Sequence, residues 1–219
     1  RSSSAAQPMS YSETVTYLWL IQAMLLLLPW TIDAEIRAMV RDGSVAYELA
    51  RPTDLYWFWY SRNLATRTAP VLLRATPLFV AAGLFFGMAP PPNLGAAAAW
   101  LLTTLGAIVL GSAISTLMSI SLLWTIAGDG VARLVATLAT MLSGSVIPLP
   151  LFPDWSQPIL NALPFRGLMD VPFRFYLGHL PLNRLLPELG LQLAWTAALV
   201  GLGRLILARG ARRLVVQGG

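Results

Sequence analysis

Cysteine is missing from all 219 residues, and so is lysine. Without cysteine there is no disulfide framework, no thiolate metal site and no cysteine nucleophile. Charge is scarce as well: 11% of the residues are Asp, Glu, Lys or Arg, against about 25% in soluble domains. So few charges cannot cover, in water, the core that 56% hydrophobic residues would build. Lipid as the solvent removes that conflict. Catalytic signatures are missing too. The chain has no Walker motif, no HExxH, no GxSxG and no paired carboxylates inside an apolar stretch. Chemistry and a bound cofactor or metal are therefore not expected on this chain. The net charge of +5 comes entirely from Arg. Apart from the last dozen residues it forms no run or stripe, which argues against a nucleic-acid partner.

What is present is apolar length. The mean hydropathy is +0.65, and a helix needs about 20 mostly apolar residues to cross the hydrocarbon core. Five spans are expected: Tyr11 to Ile32, Ala69 to Met88, Leu94 up to Asp129, Val131 to Ile147, and Leu189 to Ala208. The third is longer than one crossing needs, so it must tilt, kink or extend past the lipid. Ala89-Pro90-Pro91-Pro92-Asn93 and Gly128-Asp129-Gly130 are the short turns on either side of it. The pattern is an all-α polytopic membrane protein, read as one transmembrane domain over 1–219 with lipid around it.

Orientation follows from Arg. If Asp33 to Arg67 is cytoplasmic, that side collects Arg37, Arg41, Arg51, Arg62, Arg67, Arg74, Arg133, Arg204, Arg209, Arg212 and Arg213, leaving Arg1, Arg166, Arg174 and Arg184 opposite. The positive-inside rule favours this arrangement, with the C-terminus inside. Five spans then place Arg1 outside, and a further hydrophobic segment is expected before it in the natural polypeptide.

Two stretches lie between the spans. In 33–67, Ile36, Met39 and Val40 share one helical face, with Glu35, Arg37, Arg41 and Asp42 around the rest. Gly43 is a natural end for that helix. A second short helix fits Ser44 to Ala50, stopping before Arg51-Pro52. The run Tyr56-Trp57-Phe58-Trp59-Tyr60 reads as an aromatic belt at the membrane interface. The spacing suits an interfacial elbow between spans or a docking surface for a cytoplasmic partner. In 148–187, Phe165, Leu168, Met169, Pro172, Phe173 and Tyr176 recur at helical spacing. Arg166, Asp170 and Arg174 stand at i, i+4 and i+8, so the acid can bridge both cations. Such a piece suits a re-entrant or interfacial helix; the triplet is either a structural ion cluster or a contact, through its Arg pair, for an anionic substrate or lipid headgroup. His179 is a lone interfacial histidine, Arg74 is expected to snorkel, and Gly111, Ser115 and Ser119 are a stripe for close helix packing.

The elbow Glu35-Ile36-Arg37, Arg41-Asp42-Gly43, Glu48 and Arg51-Pro52-Thr53-Asp54 resembles a signature of type-2 ATP-binding-cassette (ABC-2) permeases, which include viologen-exporter-like subunits. Leu163-Pro164-Phe165-Arg166, with Asp170, Pro172-Phe173-Arg174 and Gly178, is similar to the outer motif of the same family. The resemblance runs along nearly the whole chain in order. It implies six spans per subunit, of which the first is not in this sequence, and a pair of permease subunits, homo- or heterodimeric. It implies a separate ATPase subunit carrying ATP and Mg, met by Glu35, Arg37, Arg41, Gly43, Glu48, Arg51 and Pro52 as a coupling elbow. It also implies a re-entrant outer segment carrying Pro164, Phe165, Arg166, Asp170, Pro172, Phe173, Arg174 and Gly178. The function it points to is export of a drug-like compound, lipid or polysaccharide through the inner membrane. A membrane scaffold or sensor that binds a cytoplasmic partner by the same elbow is the other reading.

Overall fold

A computed structural model describes residues 9–50, 53–124 and 129–217. The described residues are helical, with no strand among them. The chain runs α1 (Tyr11–Met24), α2 (Ala34–Arg41), α3 (Val45–Ala50), α4 (Leu55–Phe85), α5 (Leu94–Ser121), α6 (Asp129–Leu142), α7 (Gln157–Ala162), α8 (Asp170–Tyr176) and α9 (Leu185–Gln217). Three stretches, Leu55–Phe85, Leu94–Ser121 and Leu182–Gly210, are long and apolar enough to cross a membrane. α1 and α6 each have 14 residues, or about 21 Å at 1.5 Å per residue, which is short of a full crossing. Proline and glycine explain why these two fall short of their expected bounds. α1 passes into a 3-10 turn, Leu25–Leu27, because Pro29 has no N–H to give to the carbonyl of Leu25. α6 stops at Leu142, before Gly144 at φ +88, a conformation that glycine adopts without strain.

Caps set the other boundaries. Ser10 and Glu13 form a capping box on α1. Asp33, Asp54 and Asn93 cap α2, α4 and α5 by accepting from the first free N–H groups. The Asp54 cap corrects the sequence reading of α4. The helix begins at Leu55, fourteen residues before the expected Ala69, and contains Pro70 and Pro77. The aromatic run forms its first turns, with Trp57 and Phe58 exposed at 44% and 42%. Tyr56 and Trp59 are fully buried in a cluster with Ile36, Ala113, Ile120 and Leu207.

α5 is the centre of the bundle. α9 and α4 pack along it, α1 lies on α4, and α8 closes one end. Gly203 permits the α9 contact, since a Cβ there would stand 2.7 Å from the Tyr56 ring. The main core joins Leu20, Leu27, Leu110, Met118, Leu168 and Phe173 from α1, α5 and the outer segment. The long helices sort the connections into two ends. The elbow, the last turns of α5 and the latter half of α9 share one end, tied by an Arg204–Asp54 pair at 3.0 Å. The start of α1, the 89–93 turn and 148–187 share the other, tied by Tyr176 Oη donating to the Ala89 carbonyl at 3.1 Å.

Candidate functional site: elbow, outer cap and a buried arginine

The elbow is two short helices around Gly43, whose φ of +79 turns the chain between them. Ile36 is fully buried beneath α2, with Met39 and Val40 partly covered, so the expected apolar face is the packed one. Glu35 and Arg41 are exposed, while Arg37 and Glu48 are half-buried. Arg51 and Pro52 lie outside the described residues. The clamp on this elbow comes from α4. Arg62 donates through Nε to Asp33 Oδ2 at 2.9 Å and through its terminal nitrogen to Glu35. Asp33 Oδ1 meanwhile accepts from the Glu35 and Ile36 amides. One carboxylate thus caps α2 and fixes it to α4. Beyond it, the Ser44 hydroxyl and amide hold the Asp42 carboxyl below its ordinary range.

The outer motif is gathered and buried. Pro164 starts a 3-10 turn over Pro164–Leu168, and the backbone breaks at Met169 before α8. The expected continuous helix over Phe165 to Gly178 is therefore two pieces. Asp170 stands between Arg166 and Arg174, at 4.0 and 3.8 Å. These are ion-pair distances and not hydrogen bonds. The close partner of Arg166 is Glu188 at the start of α9, at 2.9 Å. Burial pushes the Asp170 carboxyl up to about 6, against the pull of Arg174 and then Arg166. Pro172 and Phe173 are buried, Phe165 is half-buried, and Gly178 at φ +75 turns against Pro92. Gln192 on α9 completes the cap, donating to the Gly167 carbonyl at 2.7 Å and the Thr103 carbonyl at 2.9 Å. Gly106 leaves room for that amide. Glu188 and Gln192 were missed from the sequence. Their spacing of four, on the face of α9 that carries Thr196, is the signal that was available. His179 pairs with Glu13 of α1 at 2.7 Å.

A third polar feature lies between the two ends. Arg67, counted in the sequence among the loop arginines, sits inside α4 and is 9% exposed. It donates to the carbonyls of Leu26, at 3.3 Å, and Leu27, and to Ser115 Oγ. These carbonyls are among those that the end of α1 leaves without helical donors, so the guanidinium acts as a cap. Gly111 lets it approach α5, and the Gly111–Ser115 stripe thus serves a cation as well as packing. A cavity of about 340 Å3 opens beside it. A larger apolar cavity of about 460 Å3 lies between α5, α6 and α9, lined in part by Trp124 and Arg209. Arg74 donates to the Gln22 carbonyl at 3.0 Å.

Among the described residues no group of three His, Cys, Asp or Glu side chains lies close enough to hold a metal. The arrangement offers charged anchors and an exposed polar face. Comparison with known proteins agrees with that picture. The sequence model of a family described as "ABC-2 family transporter protein" matches residues 9–218. No curated protein and no solved structure gives a significant match. With the match running through every described helix, the chain belongs to the ABC-2 transporter family of membrane proteins.

Proposed function

We propose that the chain is the permease subunit of an ATP-driven exporter and that the elbow is its coupling element. The observation that supports this most is the asymmetry of the elbow. Its apolar face is packed and its cap is fastened to α4 by Arg62, while Glu35 and Arg41 stay exposed. A helix pair built this way transmits a push and can still meet a partner. In this reading Glu35, Arg37, Arg41, Gly43, Glu48, Arg51 and Pro52 face a separate ATPase subunit that carries ATP and Mg. Closure of the ATPase subunits moves α2, and Arg62 passes the motion to α4 as a rigid-body shift. The elbow and the C-terminus then lie in the cytoplasm beneath the inner membrane, as the arginine distribution favours. A second permease completes the pathway. The substrate is a drug-like compound, a lipid or a polysaccharide. The motif from Pro164 to Gly178 closes the outer end.

Two measurements test the reading. With no native cysteine, a single cysteine placed at Ser44 reports topology directly. It should react with an impermeant reagent only after the membrane is opened, and labelling from outside would overturn the orientation. Vesicles holding this chain, its ATPase and the second permease should hydrolyse ATP faster in the presence of a transported compound. An ATPase that binds but is not stimulated by any compound, with no vectorial movement, would instead support a scaffold that uses the same elbow.

A further inference from the structure

We propose that the cavity beside Arg67 binds a phosphate group, delivered by a phospholipid headgroup at the elbow end of the bundle. The argument begins with an uncompensated charge. Arg67 is buried, and every acceptor it reaches is neutral: two carbonyls and the Ser115 hydroxyl. Its Nε–H is buried without an acceptor. Among the described residues no carboxylate lies within ion-pair distance of it. Asp33 lines the same cavity, but Oδ1 caps α2 and Oδ2 holds Arg62, which is shared with Glu35. The end of a helix supplies roughly half a negative charge, so about half the charge of the guanidinium is unmatched by its own hydrogen-bond partners; on the α2 side of the cavity Arg62 is shared between Asp33 and Glu35, which leaves one negative charge there. In a membrane protein a buried cation needs a counter-charge, and such residues mark ligand paths.

The cavity has the right place and lining. Its volume of about 340 Å3 is in the range of small-ligand sites. Asn63, Thr66 and Ser115 add polar groups beside Arg67, and Trp30 and Thr66 are exposed at the side. Arg67 stands just before the apolar stretch that begins at Ala69, on the side of the bundle that carries Asp33 and Ala34 of the elbow, which line the same cavity. Arg67 Nε lies against Gly111 and its terminal nitrogens each hold a protein acceptor, so a phosphate oxygen meets the guanidinium through a remaining terminal N–H. Trp30 and Asp33 on the same wall tolerate a headgroup that is cationic beyond its phosphate.

The test uses the purified chain in a detergent without phosphate, with Ala34→Cys at the cavity carrying an environment-sensitive fluorophore. Dihexanoyl-phosphatidylglycerol should shift its emission saturably, and dihexanoylglycerol, which has no phosphate, should not. Arg67→Gln and Thr66→Phe, which fills the cavity from the exposed side, should each weaken the response at least tenfold. Inorganic phosphate that acts in the same range, and is lost in the same variants, also supports the phosphate site and assigns it to a free anion. Should Arg67→Gln not yield a monodisperse protein, Thr66→Phe decides. Overturning results are no response to either phosphate probe, a response to dihexanoylglycerol equal to the phospholipid's, or a response unchanged in Thr66→Phe.

Discussion

The two ends of the bundle handle charge in opposite ways. At the outer motif the Arg166 and Asp170 side chains are 8% and 2% exposed, and Glu188 is 12% exposed. At the elbow, Arg62 is 29% exposed and Glu35 61% exposed, and only the capping Asp33, at 8%, is as buried as the outer pair. Removing one partner from a buried pair strands the other charge and costs about 3–5 kcal/mol, whereas an exposed pair is worth about 0.2–1 kcal/mol. The outer end is therefore built to hold one arrangement. The elbow end gives up little when its charges change partners, as a coupling surface requires.

The strongest way to break this contrast is at Glu188. Glu188→Ala leaves Arg166 buried without its 2.9 Å partner, and the expected loss is about 3–5 kcal/mol. The midpoint of thermal unfolding in detergent reads it. The paired change Arg166→Met with Glu188→Leu should restore part of that loss, because Asp170 loses one cation but keeps Arg174. A loss under about 1 kcal/mol in the single variant would mean that packing, and not this pair, holds the outer end.

A smaller effect is expected from pH at Asp170. Burial lifts its carboxyl to about 6, above the ordinary value of 3.8. The folded chain thus binds this proton more readily than the unfolded chain does. The stability it adds is complete below the unfolded value and disappears as pH rises through about 6. The wild type should melt higher at pH 5 than at pH 8, and Asp170→Asn should flatten that slope. Parallel profiles for the two proteins would remove the titration from Asp170.

How much of this was legible in the sequence depended on distance along the chain. The Arg166, Asp170 and Arg174 spacing and the turn at Gly43 are local, and both stand where the pattern placed them. The start of α4 was misplaced because Arg62, Asn63 and Arg67 lower the hydropathy before Ala69. A helix does not end where the lipid does, and Asp54 caps it further back. Arg67 was misread for the same reason, since hydropathy cannot separate a loop arginine from one that caps another helix. The bond between Arg166 and Glu188 joins residues 22 apart, and only the fold brings them together. The Tyr56 to Tyr60 run has the composition of an interface belt; Trp57 and Phe58 stay exposed, while contact with Ile36, Ile120 and Leu207 buries Tyr56 and Trp59.

Arg62 tests the link between elbow and bundle. Arg62→Ala removes both contacts to Asp33 and Glu35. Glu35 is exposed, but the Asp33 side chain is 8% exposed; it keeps its two amide donors, so the stability change should be about 1–3 kcal/mol. The consequence lies in coupling: the ATPase should still bind and hydrolyse ATP, with transport lost. Transport at the wild-type rate would show that the push reaches α4 by another contact.

The smallest change in stability is expected from charge reversal at Arg41 or Glu48, and it is the sharpest test of the contrast. Neither side chain belongs to the apolar face that packs on α4, α5 and α9. Arg41 is exposed and Glu48 half-buried, and reversals outside the core usually shift stability by about 1 kcal/mol or less. The permease should therefore remain inserted, with an unfolding midpoint close to that of the wild type. The loss should appear only with the partner present. A charge-assisted bond made at a partly desolvated interface is worth about 1.5–3 kcal/mol, roughly ten- to a hundredfold in affinity. Arg41→Glu and Glu48→Arg should each release the ATPase on co-purification and stop transport. Asp170→Arg should do the reverse, destabilising the outer end while any properly folded fraction keeps its ATPase. If both elbow variants retain the ATPase at wild-type stoichiometry and the Asp170 variant loses it, the two ends have exchanged roles and the coupling surface lies on the buried outer motif.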